Sequence, residues 1–202
     1  MKSKAAKGEP EDPLETAILE AVLHTVAQEG FEGASIRRVA TRSGYSAGAI
    51  QKRFATRQHL LRAAYERVVA AAVERMEWAQ ADITDSLVGR QMAAALQTLP
   101  LDAVRRREGL VWTAYLLRAA IDDSLSDLPR SLDHAVGVTL TAELCEAAET
   151  GRLRSDADPR ALADAVVAMV DGIAIRMLYS PQDEQESLLA ALDVGLRALL
   201  PD

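Results

Sequence analysis

The stretch IRRVATRSGYSAGAIQKRF, Ile36 to Phe54, decides how this chain is read. It carries five basic side chains, Arg37, Arg38, Arg42, Lys52 and Arg53, with Arg57 just beyond, and no acidic one. The chain as a whole is acidic, with a formal net charge of -7 over 202 residues. Between residues 33 and 67 eight basic side chains stand against one acid, Glu66, whereas residues 68–202 hold twelve basic and twenty-two acidic side chains. A run of like charge is ordinarily a solvated face and nothing more. Here the charge surrounds a glycine-bearing turn, and that placement is what matters.

Local pattern sets the turn between two short helices. Ser35 is an N-cap, and Ile36, Val39 and Ala40 form the inner face of a helix that stops near Ser43-Gly44. Gly44 suits a turn because it adopts positive φ without a Cβ clash. Ser46 caps the next helix, with Ala49 and Ile50 facing inward and Phe54 closing the end. Two short helices joined by about four residues form a helix-turn-helix. Upstream, Asp12-Pro13 is a cap followed by an N1 proline. Leu14, Ala17, Ile18, Ala21, Val22, Thr25 and Val26 then recur at helical spacing until Gly30. Downstream, Thr56 caps a long helix through Leu60, Leu61, Ala64, Tyr65, Val68 and Ala72, extending to about Trp78.

Such an arrangement fits DNA, because a helix in the major groove needs a second helix to brace it at a steep angle. The outward residues of the third helix are Ala47, Gly48, Gln51 and Lys52. Small residues permit close approach, while Gln and Lys can hydrogen-bond base edges. Ser46 sits at a helix N-terminus whose free N–H groups bind phosphate. Ser35, Arg37, Arg38, Arg53 and Arg57 are expected to hold the phosphate backbone and fix register.

Residues 14–61 resemble the DNA-binding domain of the TetR family of transcriptional regulators. Gly30-Phe31, Ser35, Ile36, Val39 and Ala40 match the family pattern G-[FY]-x-x-[ST]-[ST]-[IV]-x-x-[IV]-A. Gly44, Ser46, Gly48, Ile50 and Phe54 match A-G-[VI]-S-x-G-x-[LI]-Y-x-[HY]-F. Arg57 stands where the family usually has lysine, and Leu60 fits the leucine that follows. Gln51 replaces the family's usual tyrosine, Arg53 its usual histidine and Ser43 its usual alanine, so the operator read by this chain departs from the commonest types. The resemblance implies an all-α protein with an N-terminal three-helix helix-turn-helix domain and a C-terminal helical domain for ligand binding and dimerisation. It implies a ligand-responsive repressor that binds a palindromic double-stranded DNA operator as a homodimer and is released by a small, mainly apolar effector.

The remainder also reads as helix: 85–98 from Asp85 to Pro100, a short piece from Leu101 to Arg107, and Glu108 to Ile121 with Leu110, Val111, Ala114, Leu117 and Ile121 on one side. Leu128 to Thr150, Pro159 to Tyr179 and Gln182 to Leu200 complete it. The expected divisions are an arm at 1–12, a DNA-binding domain at 13–58 and an effector and dimerisation domain at 59–202. Helix 159–179 is apolar nearly all round, so it must be buried on more than one face. This places the homodimer contact in residues 159–200.

In the family plan the middle helices enclose a pocket, for which the best lining candidates are Met92, Leu96, Trp112, Tyr115, Leu116, Met169, Ile173 and Met177. They combine aromatic faces with pliable methionines. Each taken singly is equally well explained as core. Trp78 is expected to pack rather than bind.

Other functions find little support. One cysteine, Cys145, excludes an internal disulfide and fits a reducing cytoplasm. The first residues lack a signal-peptide core, no apolar run reaches membrane length, and no partner in the membrane is expected. His24, His59, His134 and Cys145 show no metal spacing, the glycines form no phosphate loop, and no nucleophile motif is present. Neither catalytic residues, metal nor cofactor are expected. The alternative reading is a helical sensor or interaction protein that keeps the fold without specific DNA binding. The basic segment favours the DNA reader.

Overall fold

The computed structural model of the chain describes residues 12–83, 85–153 and 157–200. The expected arm at 1–12 lies outside the described residues except for Asp12. The described residues form nine α-helices and no strand: α1 (Pro13–Gly33), α2 (Ile36–Ser43), α3 (Ala47–Arg53), α4 (Arg57–Gln80), α5 (Leu87–Thr98), α6 (Ala103–Ala119), α7 (Asp127–Glu149), α8 (Pro159–Tyr179) and α9 (Gln185–Leu199). Single 3-10 turns occupy Asp123–Leu125 and Gln182–Glu184. The chain divides into two compact units, Met1–Arg67 and Val68–Asp202, with the division inside α4.

The first unit follows the caps legible in its sequence. Asp12 Oδ1 accepts from the Leu14 N–H at 3.0 Å, ahead of Pro13 at N1. Gly30 leaves helical geometry at φ 73°, so the helix proper ends there and residues 31–33 form a separate turn. Ser35 Oγ accepts from Arg38 N–H at 3.3 Å, Ser46 Oγ from Ala49 N–H at 3.1 Å and Thr56 Oγ1 from His59 N–H at 3.0 Å. Ile18, Val22, Val39, Ile50, Phe54, Leu60, Ala64 and Tyr65 are buried. Leu60, Ala64 and Tyr65 explain why this unit runs to Arg67: the first turns of α4 carry part of its apolar interior.

In the second unit three expected elements change. The cap of α5 is Ser86, not Asp85, since Ser86 Oγ accepts from the Gly89 N–H at 2.9 Å. The two pieces expected at 101–107 and 108–121 are one helix, α6. Asp102 starts it by accepting from the Arg105 N–H at 2.8 Å, and no proline interrupts residues 103–119. The inner face of α6 is Val111, Tyr115 and Ala119, while Leu117 and Ile121 are 68% and 78% exposed. The four-residue spacing of the buried set holds one line along the helix, and Leu117, two residues from Tyr115, lies roughly 200° around it.

An apolar cluster fills this unit. It draws on Leu87, Ala95 and Leu99 of α5 and its end, Leu140 and Leu144 of α7, Val166, Ile173 and Met177 of α8, and Leu188, Leu192 and Leu196 of α9. Gly195 makes the α8–α9 approach possible, because a Cβ there would lie 2.2 Å from Met169 Sδ.

Asp171 of α8 sits half-buried beside this packing. Burial, then the like charge of Asp133 on α7, push its carboxyl up to about 6. The folded carboxyl thus holds its proton more tightly than the unfolded one, and the native protein loses stability as pH rises from about 4 through about 6. Asp171→Asn is expected to be more stable than the parent at pH 8 by about 1–2 kcal/mol, allowing for partial exposure. The gain should vanish as pH falls to about 4, as thermal denaturation across that range will read.

Candidate nucleic-acid interface

α2 and α3 meet at a turn whose backbone is set by Gly44, at φ 78° and ψ 3°. The Gly44 N–H closes α2 on the Ala40 carbonyl at 3.1 Å, and Ser46 opens α3 two residues later. Val39 and Ile50 are fully buried, which fixes the rotation of both helices about their axes. The opposite faces turn to solvent: Arg37, Arg38, Ser46, Ala47, Gly48, Gln51, Lys52 and Arg53 are all exposed, and Ser35 is half-buried in its cap. Among the described residues, Arg37, Gln51 and Lys52 hold no side-chain partner. They are the groups of this face most available to a ligand.

Arg57, expected at the phosphate backbone, donates to its own chain. Its Nε donates to the Ala34 carbonyl at 3.0 Å, and its Nη2 donates to the Phe31 carbonyl. The guanidinium also lies 5.3 Å from the Phe31 ring centroid and 3.5 Å from Glu32. The Phe31 carbonyl also accepts from the Ala34 N–H at 3.4 Å, and Arg57 adds a charged donor to it and to the Ala34 carbonyl just after the Gly30 break. It braces the α1–α2 junction.

The structure also adds carboxylates that the quoted stretch lacks. Arg38 pairs with Glu29, and Arg53 with Glu15. Arg42 donates to Gln28 at 2.7 Å and lies 3.9 Å from Glu29. Arg67 lies 3.7 Å from Glu20, and Arg62 lies 3.0 Å from Glu66. The five glutamates between Asp12 and Arg67 therefore each have an arginine partner. Four of them come from α1, outside the quoted stretch, and no short-range signal announces their arrival.

The effector-pocket candidates separate by element. Met92, Leu96, Met169, Ile173 and Met177 belong to the apolar cluster of the second unit, where they fill space. On α6, Tyr115 is buried, and Trp112 and Leu116 are half-buried. Trp78 was expected to pack but is 84% exposed. It edges a groove of about 400 Å³ with Glu74, Arg75, Ala79 and Gln97, none of which was among the candidates. An isolated indole at a helix end carries no periodicity, so its exposure was illegible in the sequence.

A capped two-helix turn, braced by a third helix and presenting polar, unpaired side chains from its second member, defines a helix-turn-helix DNA-binding protein. Comparison with known proteins agrees. The profile "Bacterial regulatory proteins, tetR family" matches residues 18–64, and "BetI-type transcriptional repressor, C-terminal" matches residues 88–201. The regulator BetI of Paraburkholderia phytofirmans is 30% identical over 183 residues, covering 87% of this chain and 88% of its own. The regulator PksA of Bacillus subtilis is 28% identical over 165 residues, covering 81% of this chain and 78% of its own. A crystal structure of a transcriptional regulator from Rhodococcus sp. is 30% identical and superposes with a TM-score of 0.81, covering 92% of this chain and 95% of that one. The chain belongs to the TetR family of transcriptional regulators and is not an enzyme. Among the described residues no helix is long and apolar enough to cross a membrane.

The bracing role of Arg57 has a measurable consequence. Arg57→Ala should lower unfolding free energy by about 1–3 kcal/mol, since two carbonyls lose a charged donor. Arg57→Lys should recover only part of it, because an ammonium lacks the planar fork. Chemical denaturation of the three proteins compares them directly.

Proposed function

We propose that the protein is a ligand-responsive repressor that binds a palindromic operator as a homodimer and works in the cytoplasm. The observation that carries the reading is the outer face of the helix-turn-helix, where Gln51 and Lys52 are exposed and hold no partner. Side chains with free donors and acceptors at this position of the motif read base edges in the major groove. Gln51 is assigned to an adenine edge and Lys52 to a guanine edge. Arg37, Arg38, Arg53 and the N-terminus at Ser46 take phosphates, and Ala47 and Gly48 permit close approach.

The dimer is assigned to residues 159–200. Leu188, Leu192 and Leu196 are consumed by the chain's own core, so the contact falls on the opposite faces. Those faces expose Ile175 and Tyr179 on α8 and Val194 on α9, at 43%, 73% and 67%, among small residues that include Ala168, Gly172, Ala190 and Ala198. Small residues with a few large apolar ones let two helix pairs approach closely. Two-fold symmetry then demands two half-sites about one helical turn apart. For the effector, α6 offers Trp112, Tyr115 and Leu116. A regulator from Saccharomonospora viridis with the same fold, 22% identical with a TM-score of 0.82 over 93% of this chain and 97% of its own, was crystallised in complex with choline. That precedent supports a small-molecule effector here. α4 is one continuous helix shared by both units, and it is the natural carrier of the signal.

The deciding experiment is selection of duplexes from a random pool followed by binding assays. Gln51→Ala should relax preference at one or two base pairs, a loss of roughly 1–3 kcal/mol confined to those positions. Recovery of no enriched sequence by a folded protein would leave the chain without an operator and sink the reading.

The dimer is read by mass. The parent should run at twice 21.8 kDa in native mass spectrometry, and Val194→Asp with Ile175→Asp should run as a monomer. The same spectra would weigh any effector retained through purification.

A further inference from the structure

A DNA-binding unit with exposed arginines should bind any duplex tightly, because phosphates are sequence-independent partners. In this protein most of those arginines are already occupied. Arg38 is 59% exposed yet holds Glu29, and Arg53 is 49% exposed yet holds Glu15. Both glutamates lie on α1, which contributes none of the residues assigned to DNA contact. Both are less exposed than their partners, at 31% and 28%, so each carboxylate lies on the inner side of its pair and the guanidinium on the solvent side. Arg37 and Lys52, on the same face, have no such partner. The pairing therefore selects particular cations rather than blanketing the surface.

We propose that Glu15 and Glu29 compete with the DNA backbone for Arg53 and Arg38 and so limit the affinity of this protein for DNA of every sequence. The proposal rests on the assignment of Arg38 and Arg53 to phosphate contacts. For these two arginines, docking exchanges one anionic partner for another. The net electrostatic gain is small, and the released carboxylate remains close to a polyanion. Base contacts by Gln51 and Lys52 face no such competition. Operator binding thus survives a reduction that puts binding to bulk DNA out of reach. Surface ion pairs are weak and exchange readily, which suits a competitor that must yield at the right site.

The test uses the full-length protein, a duplex selected from a random pool, and a scrambled duplex of the same composition. Affinities are measured from 50 to 300 mM potassium chloride. Glu15→Gln with Glu29→Gln should raise affinity for both duplexes by about tenfold at 100 mM salt and steepen the salt dependence by up to about two ions per protomer. An unchanged or lower affinity for both duplexes would overturn the proposal, a fall meaning that the glutamates position the arginines instead. Arg38→Ala and Arg53→Ala in the same assay separate the two levels. They should each weaken both duplexes and flatten the slope by about one. If they change nothing, the phosphate assignment falls and takes the proposal with it. Because both are surface ion pairs whose arginines are largely exposed, the glutamine variant should melt close to the parent. Should it not, Glu29→Gln alone is carried through the same assay, with an expected rise of about threefold on both duplexes, and no rise overturns the proposal.

Discussion

The DNA-facing unit depends on one backbone constraint, the reversal between Ser43 and Ser46. For α3 to leave α2 at a steep angle, the chain must pass through a left-handed residue immediately after the last α2 turn. Gly44 takes that conformation, and its N–H still closes α2 on Ala40. A Cβ at Gly44 would meet nothing within 4 Å, so the requirement is one of backbone angle and not of space. Once the turn is set, Val39 and Ile50 must point into the same interior, and Gln51 and Lys52 must point away from it. The exposure of Gln51 and Lys52 is thus a by-product of burying two apolar side chains.

The charge of this unit is governed by a second, longer-range constraint. The basic run appears unopposed along the chain, but folding places α1 beside α2, and the glutamates of α1 arrive with it. A patch that seems strongly positive as a sequence becomes a mixture of compensated arginines and a few free cations. Arg57 shows how far position alters the role of one residue type. Its guanidinium donates to the Phe31 and Ala34 carbonyls and stabilises backbone, whereas Arg37, twenty positions earlier, faces water.

In the second unit, packing leaves its own marks on the surface. Leu188, Leu192 and Leu196 are drawn into an interior shared with α5, α7 and α8, and Gly195 gives up its side chain so that Met169 can cross it. What remains outside on α8 and α9 mixes small residues and the large apolar Ile175, Tyr179 and Val194 with the charged Arg160, Asp164, Arg176, Glu186 and Arg197. Asp171 lies at the edge of the same packing. Its raised affinity for a proton is the cost of a carboxylate retained among apolar helices beside another carboxylate.

By itself the sequence determined most elements and their ends. Caps at Asp12, Ser35, Ser46 and Thr56, the N1 proline Pro13, and the glycines at 30 and 44 act within a few residues, so they are legible without a fold. The helix-turn-helix and its outward residues were legible for the same reason. Only the tertiary structure decided which partners those residues keep. The pairing of Glu15 with Arg53 spans 38 positions, and the contact of Arg57 with the Ala34 carbonyl spans 23. Periodicity cannot reveal such contacts, because it reports the face of a helix and not what lies against it. The same limit hid the single helix α6 and the exposure of Leu117, Ile121 and Trp78. Each depends on which neighbouring helix covers a face, and that is settled by packing in three dimensions.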